Sequence, residues 1–229
     1  MRKIIFLLFF FSYLCVANTD NKWPHFDENT AHTILVAGYV VEAEYLTELV
    51  SPECNTGEFI CMDPPPLKLE IEIETVVYGE VSNSTIYVFT TSHYGKRQFD
   101  IGGLQAYLFL LETDGSQYKM PRYHFTPLAY LEDGLALPMR FPSDTPFFLP
   151  CEVKNIHEEL NFDPESEGVL LPIEIFFREE IKEMEGFAHI SKYAVRVLNG
   201  IGIMHLKKYF NEKNRLLILI VMQEINRYA

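Results

Sequence analysis

A thiol and a scatter of imidazoles are the most reactive groups of this 229-residue chain. Cys151 could attack a carbonyl if a histidine stood within hydrogen-bond reach, because an imidazole base generates the nucleophilic thiolate. The seven histidines are His25, His32, His93, His124, His157, His189 and His205. None has the His-x-x-x-His spacing that places two ligands on one helix face, and no Cys-x-x-Cys occurs, so no preset metal site is legible. There is no Gly-x-Ser-x-Gly elbow and no phosphate-cradling glycine loop. Cys151 follows Pro150 without a flanking nucleophile signature. The expectation is a buried, inert thiol, since free cysteine packs as a small hydrophobe. The sequence therefore assigns no catalytic residue, no metal ligand and no cofactor. A hydrolase built on Cys151, or on histidines converging from distant positions, stands as the catalytic alternative.

Other groupings point to binding or bracing. Cys54 and Cys61 are close enough in sequence to bridge in an oxidising compartment. A loop this short gains about 2–3 kcal/mol in the chain-entropy model, and stiffening of an exposed loop is the main consequence. His93-Tyr94-Gly95-Lys96-Arg97 is a basic island in an acidic chain, a candidate contact for an anionic ligand or a partner. Lys68, Glu70, Glu72 and Glu74 alternate with apolar residues along one stretch. Carboxylates about 6.5–7 Å apart along an extended strand do not converge on a metal, so they form a solvated face. Asn83-Ser84-Thr85 is a formal glycosylation acceptor in a turn.

The elements that must position these groups begin outside the cytoplasm. Arg2 and Lys3 precede the apolar run Ile4 to Phe11, and Cys15-Val16-Ala17 ends it with compact residues, which predicts a signal peptide (1–17) cleaved after Ala17. Its apolar core is shorter than the roughly 20 residues that a membrane span needs. Bulky Tyr13 and Leu14 before Cys15 argue against a lipid anchor. The expected location is secreted or periplasmic. Loss of Arg2 and Lys3 takes the formal charge from −13 to −15. That sign repels nucleic acid and anionic headgroups, so no nucleic-acid partner is expected, and the apolar run Leu216 to Met222 is too short for a membrane span in the mature chain. A protein partner, and a basic one in particular, is compatible with it.

After an N-terminal arm (18–32), residues 33–141 read as strands. Residues 34–41 are apolar on both faces, hence a buried strand, and Glu42 to Glu48 become more polar and lead into the cysteine loop. Leu67, Leu69, Ile71 and Ile73 alternate with the charged residues above, one face dry and one wet. Residues 85–91 and 104–111 supply two more strands, turned by Ser82-Asn83-Ser84, Gly102-Gly103 and Asp114-Gly115. Glu132-Asp133-Gly134 marks a hairpin. Short strands at this spacing predict a closed antiparallel barrel, which leaves no open edges. Proline and glycine make 142–172 a connector with short elements. In 173–229 the period changes. Phe187, Ile190, Tyr193, Ala194, Val197 and Leu198 recur at helical spacing, and 203–210 and 216–225 read as further helices. The expected class is α+β, an OB-like antiparallel β-barrel followed by a C-terminal helical region packed on it.

The order of features in 33–112 resembles the netrin/TIMP-like module, an OB-type barrel of secreted proteins. The matching stretches are Ile34 to Glu44, Leu67 to Gly79, Ile86 to Thr91, Phe99 to Gly103 and Tyr107-Leu108-Phe109-Leu110. The resemblance implies barrel architecture and an extracellular setting. Metalloproteinase inhibitors of that family carry a cysteine at the mature N-terminus, where Asn18 would stand here. The family's cysteine framework is missing around His93 and Tyr94, so zinc-protease inhibition is not implied. The expected function is a non-catalytic module that binds a protein or carbohydrate partner through barrel loops, including 92–98 and the cysteine loop. An inhibitor or immunity-type protein that neutralises a basic partner is the second reading.

Overall fold

The computed structural model describes residues 26–46, 65–140, 144–162, 169–175, 177–184 and 187–212. The leader, most of the N-terminal arm, the Cys54 and Cys61 stretch and the apolar run 216–222 lie outside the described residues.

Five strands close into a barrel. They are β1 (His32–Tyr45), β2 (Pro66–Tyr78), β3 (Thr85–Thr91), β4 (Ala106–Thr113) and β5 (Tyr118–Lys119). Their pairing order is β1-β2-β3-β5-β4, and β4 returns to β1. The pairs are antiparallel except β3 with β5, where Val88 meets Tyr118 in parallel register. A short β6 (Phe125–Pro127) adds to β4.

β1 is apolar on both faces because it separates two cores. Ile34, Val36 and Val40 fill the barrel with Leu67, Leu69, Ile71, Val88, Phe109 and Leu111. Leu35 and Ala37 belong to a second core outside it, with Leu108, Leu110, Leu137, Ile201 and Leu206. β4 alternates in the same way and is buried along nearly its whole length. On β2 the period-two pattern sorts as the sequence predicts: Leu67, Leu69 and Ile71 are buried, whereas Glu72 and Glu74 are exposed.

A strand shared by two neighbours must curve, and β1 does so through irregular pairing. Between Ala37 and Gly38 the ladder skips Glu74 of β2, a bulge that increases local twist. A Cβ on Gly38 would lie 2.2 Å from the Glu72 carbonyl oxygen, so any side chain there would push the backbone of β2 aside.

Beyond the barrel come β7 (Ala129–Leu131), β8 (Gly134–Met139), β9 (Glu158–Glu159), β10 (Leu170–Pro172), α1 (Arg178–Glu183), β11 (Ala188–Ile190), β12 (Ala194–Val197), β13 (Asn199–Gly202) and α2 (Ile203–Glu212). The β7–β8 hairpin turns over Glu132 and Asp133 as expected, with Leu131 opposite Gly134. It joins β13 and β9 in a sheet of its own, ordered β7-β8-β13-β9. A third sheet is ordered β10-β12-β11. Within the connector, Cys151–Ile156 form a 3-10 turn.

The helix expected over 187–198 is replaced by strands. Ser191 makes a tight turn in which its hydroxyl accepts from the Ala194 amide at 3.0 Å and donates to the Ala194 carbonyl at 2.9 Å. The turn sets Ile190 opposite Val195 and Ala188 opposite Val197. Helical spacing would have buried Tyr193, which is exposed. The β-branched pair Val195 and Val197 is fully buried instead, as strand propensity favours. The C-terminal part is thus mixed. Its helix at 203–212 does form, and Leu206, Tyr209 and Phe210 enter the second core. No described helix is long and apolar enough to cross a membrane.

Candidate functional site

Pairing brings the carboxylates of two strands onto one outer face. Glu42 of β1 stands opposite Glu70 of β2, which in turn stands opposite Tyr87 of β3. The next rung is Glu44, Lys68 and Phe89, and Tyr39 lies opposite Glu72. Lys68 is the one lysine or arginine in β1, β2 and β3, against five glutamates. Its ammonium lies 3.8 Å from the Glu44 carboxylate and 4.6 Å above the Tyr87 ring. Glu42, Glu44, Lys68, Glu70 and Tyr87 line a small open cleft. The wet face of β2 therefore shares this cleft with glutamates from β1, a neighbourhood that alternation along one strand cannot reveal. Among the described residues no three His, Cys, Asp or Glu side chains are grouped to hold a metal ion.

Tyr39 is half-buried beside this face. Burial and a hydrogen bond with Tyr130 push its hydroxyl up to about 12, with Glu74 and Glu72 adding to the rise. Tyr130 donates to the Leu104 carbonyl at 2.6 Å. The remaining hydrogen bond of the pair must then run from Tyr39 to Tyr130, giving a chain from β1 through β7 to the loop before β4.

The basic island sits at one pole, where β1 ends, β2 begins and β3 ends. Ser92 is buried and its hydroxyl accepts from the Tyr94 amide at 3.1 Å. A 3-10 turn follows at Gly95–Gln98. The Tyr45 hydroxyl fills the space a side chain on Gly95 would need, and it accepts from the Lys96 amide at 3.3 Å. The Lys96 ammonium lies 5.1 Å from the Tyr45 ring centre. His93, Tyr94 and Arg97 are exposed. Arg122, from the segment after β5, reaches His93 Nε2 at 3.4 Å. Arg122 and Tyr45 are members of this tip that sequence distance hides.

The remaining candidates lie apart from both regions. Cys151 is exposed at the start of its 3-10 turn, a correction to the buried thiol expected, because the turn buries Val153 and leaves the first residues outside. His157, its nearest histidine in sequence, bonds the Lys154 carbonyl through Nδ1. His205 pairs with Glu158 at 3.1 Å on the second sheet. Asn83 is exposed in the β2–β3 turn. Cys54 and Cys61 are outside the described residues. Comparison with protein-family models, curated proteins and solved structures returned no match.

Proposed function

We propose that this chain is an exported, non-catalytic binding module of OB-like, netrin/TIMP-like architecture that holds a basic segment of a protein partner. The pairing order β1-β2-β3-β5-β4-β1 with a parallel β3–β5 contact supports the OB-like reading. The cationic start, apolar run and Cys15-Val16-Ala17 support export. The observation that carries the choice of partner is the Glu42–Glu70 pairing beside Glu44, Glu72 and Tyr87. OB-type barrels use the strand 2–3 face for ligands, often oligonucleotides. Here that face has the wrong sign for phosphate and the right one for lysine or arginine. Tyr87, 51% exposed, already carries the Lys68 ammonium over its ring and shows the kind of cation contact this face makes. An inhibitor that neutralises a basic enzyme or toxin would use the same face.

The test is calorimetric titration with a ten-residue lysine peptide at low and high salt. Binding that weakens with salt and is lost in the E42Q/E70Q/E72Q variant supports the reading. The charge-matched control E179Q/E180Q/E183Q, on α1, should bind like the unmodified chain. Equal binding by both triple variants would overturn it.

A further inference from the structure

The loop before β4 presents apolar side chains that the barrel does not use. Leu104 is 79% exposed and Ile101 42% exposed. Single exposed hydrophobes are ordinary, but this loop is held at Asp100, Gly102, Leu104 and Gln105. The Asp100 amide donates to the Tyr107 hydroxyl at 2.8 Å, and the Asp100 carboxylate accepts from the Gln105 amide at 2.9 Å. Buried Gln105 donates from Nε2 to the carbonyls of Ala106 and Leu128, both at 2.7 Å. The Gly102 amide bonds the Val40 carbonyl at 3.1 Å, and Tyr130 fixes the Leu104 carbonyl. Gly102 and Gly103 take φ of +116° and +80°, a path L side chains rarely follow.

The loop lies against the acidic face. A side chain on Gly103 would be 3.8 Å from Val41 and 3.9 Å from Tyr39. Val41 precedes Glu42, and Tyr39 is opposite Glu72. The loop carrying Ile101 and Leu104 thus runs along β1 at Val40 and Val41, one residue before Glu42. A prefixed tip loses little freedom on binding, so its apolar area converts well into affinity.

We propose that Ile101 and Leu104 are the apolar anchor of the interface, and that the partner segment interleaves aliphatic with basic side chains. The inference rests on the basic-partner reading and adds what such a segment must carry besides charge. Charge complementarity with Glu42, Glu70 and Glu72 selects a cationic strand, and the adjoining tip selects one with aliphatic residues between its cations.

The probes are two blocked decapeptides, one alternating lysine with leucine and one alternating lysine with serine, titrated against the full chain. The lysine–leucine peptide should bind about tenfold more tightly, the scale of one well-buried aliphatic contact. The I101S/L104S variant should bring the two within twofold and leave the lysine–serine affinity unchanged. Both residues are exposed, and an unchanged melting temperature checks the fold. Equal binding of the two peptides to the unmodified chain overturns the anchor and leaves the acidic face standing. A preference that survives in the variant overturns it as well. Failure of both peptides to bind overturns the basic-partner reading and the anchor together.

Discussion

Glu42 and Glu70 stand directly opposite one another across the β1–β2 ladder, on the solvent side. Like charges in that relation destabilise a sheet. A face selected only for folding would pair one of them with a cation, as Glu44 is paired with Lys68 on the next rung. Replacing Glu42 with lysine should therefore raise the unfolding free energy by roughly 0.2–1 kcal/mol, the range of cross-strand pair effects. The same change should weaken capture of a lysine peptide. Urea unfolding and calorimetry on one sample measure both. A variant more stable and equally tight would separate this pair from binding.

Gly38 crosses β2 where a Cβ would lie 2.2 Å from the Glu72 carbonyl oxygen. Gly38→Ala forces the Glu72 carbonyl to move, and overpacking of that kind costs typically about 1–3 kcal/mol. Gly202→Ala is the control, because its nearest neighbour is the His205 Cβ at 4.0 Å. It should change stability by less than about 0.5 kcal/mol. Urea midpoints for the two variants should differ plainly, and equal midpoints would show that β1 relaxes at Gly38.

The barrel was legible because its signals are local. Alternation over Leu67 to Ile73 fixes which face of β2 is dry, and the two-sided apolar run at 34–37 announces a buried strand. The hairpin at Glu132-Asp133-Gly134 was legible for the same reason, although which sheet it joins was not: β8 pairs with β13 some sixty residues on. The 187–198 stretch departs from the expected helix because apolar residues three and four apart fit a helix as well as a strand–turn–strand. The Ser191 turn decides between them, and serine alone does not announce it. The acidic face depends on register, since Glu42 meets Glu70 only once β1 and β2 are aligned. Arg122 and Tyr45 join the basic island through the barrel's closure, a relation that spacing along the chain does not encode.

The exposed Cys151 thiol has a direct chemical consequence. Native protein treated with iodoacetamide should take up label at Cys151 without denaturant, with peptide mapping assigning the adduct. Protection until unfolding would restore the buried thiol that sequence reasoning expects. Cys151→Ser should leave the melting temperature within about 2 °C, since a surface change of under roughly 0.5 kcal/mol shifts it little.

His124 gives the fold a pH dependence whose sign is fixed by its surroundings. The ring is 5% exposed, stacked on Phe148 with centres 5.9 Å apart and edge-on to Phe147 at 4.9 Å. Nδ1 faces the Arg122 carbonyl at 2.9 Å. A carbonyl only accepts, so Nδ1 carries the proton. Nε2 is buried with no hydrogen-bond partner among the described residues. Burial lowers the imidazole below its ordinary range, opposed by the Arg122 and Pro121 carbonyls, which favour the charged ring. The unfolded chain takes up this proton near pH 6.5, before the folded one does. The stability tied to the neutral ring is therefore complete above that pH and is lost as pH falls toward the lowered folded value. His124→Asn removes the titration and keeps an amide donor for the Arg122 carbonyl. Melting temperatures of the two proteins from pH 8 to pH 5 should converge on acidification, because only the unmodified chain loses the contribution of its neutral imidazole. Parallel declines would show that His124 titrates alike in the folded and unfolded states, and that the Phe147–Phe148 cover does not keep the proton out.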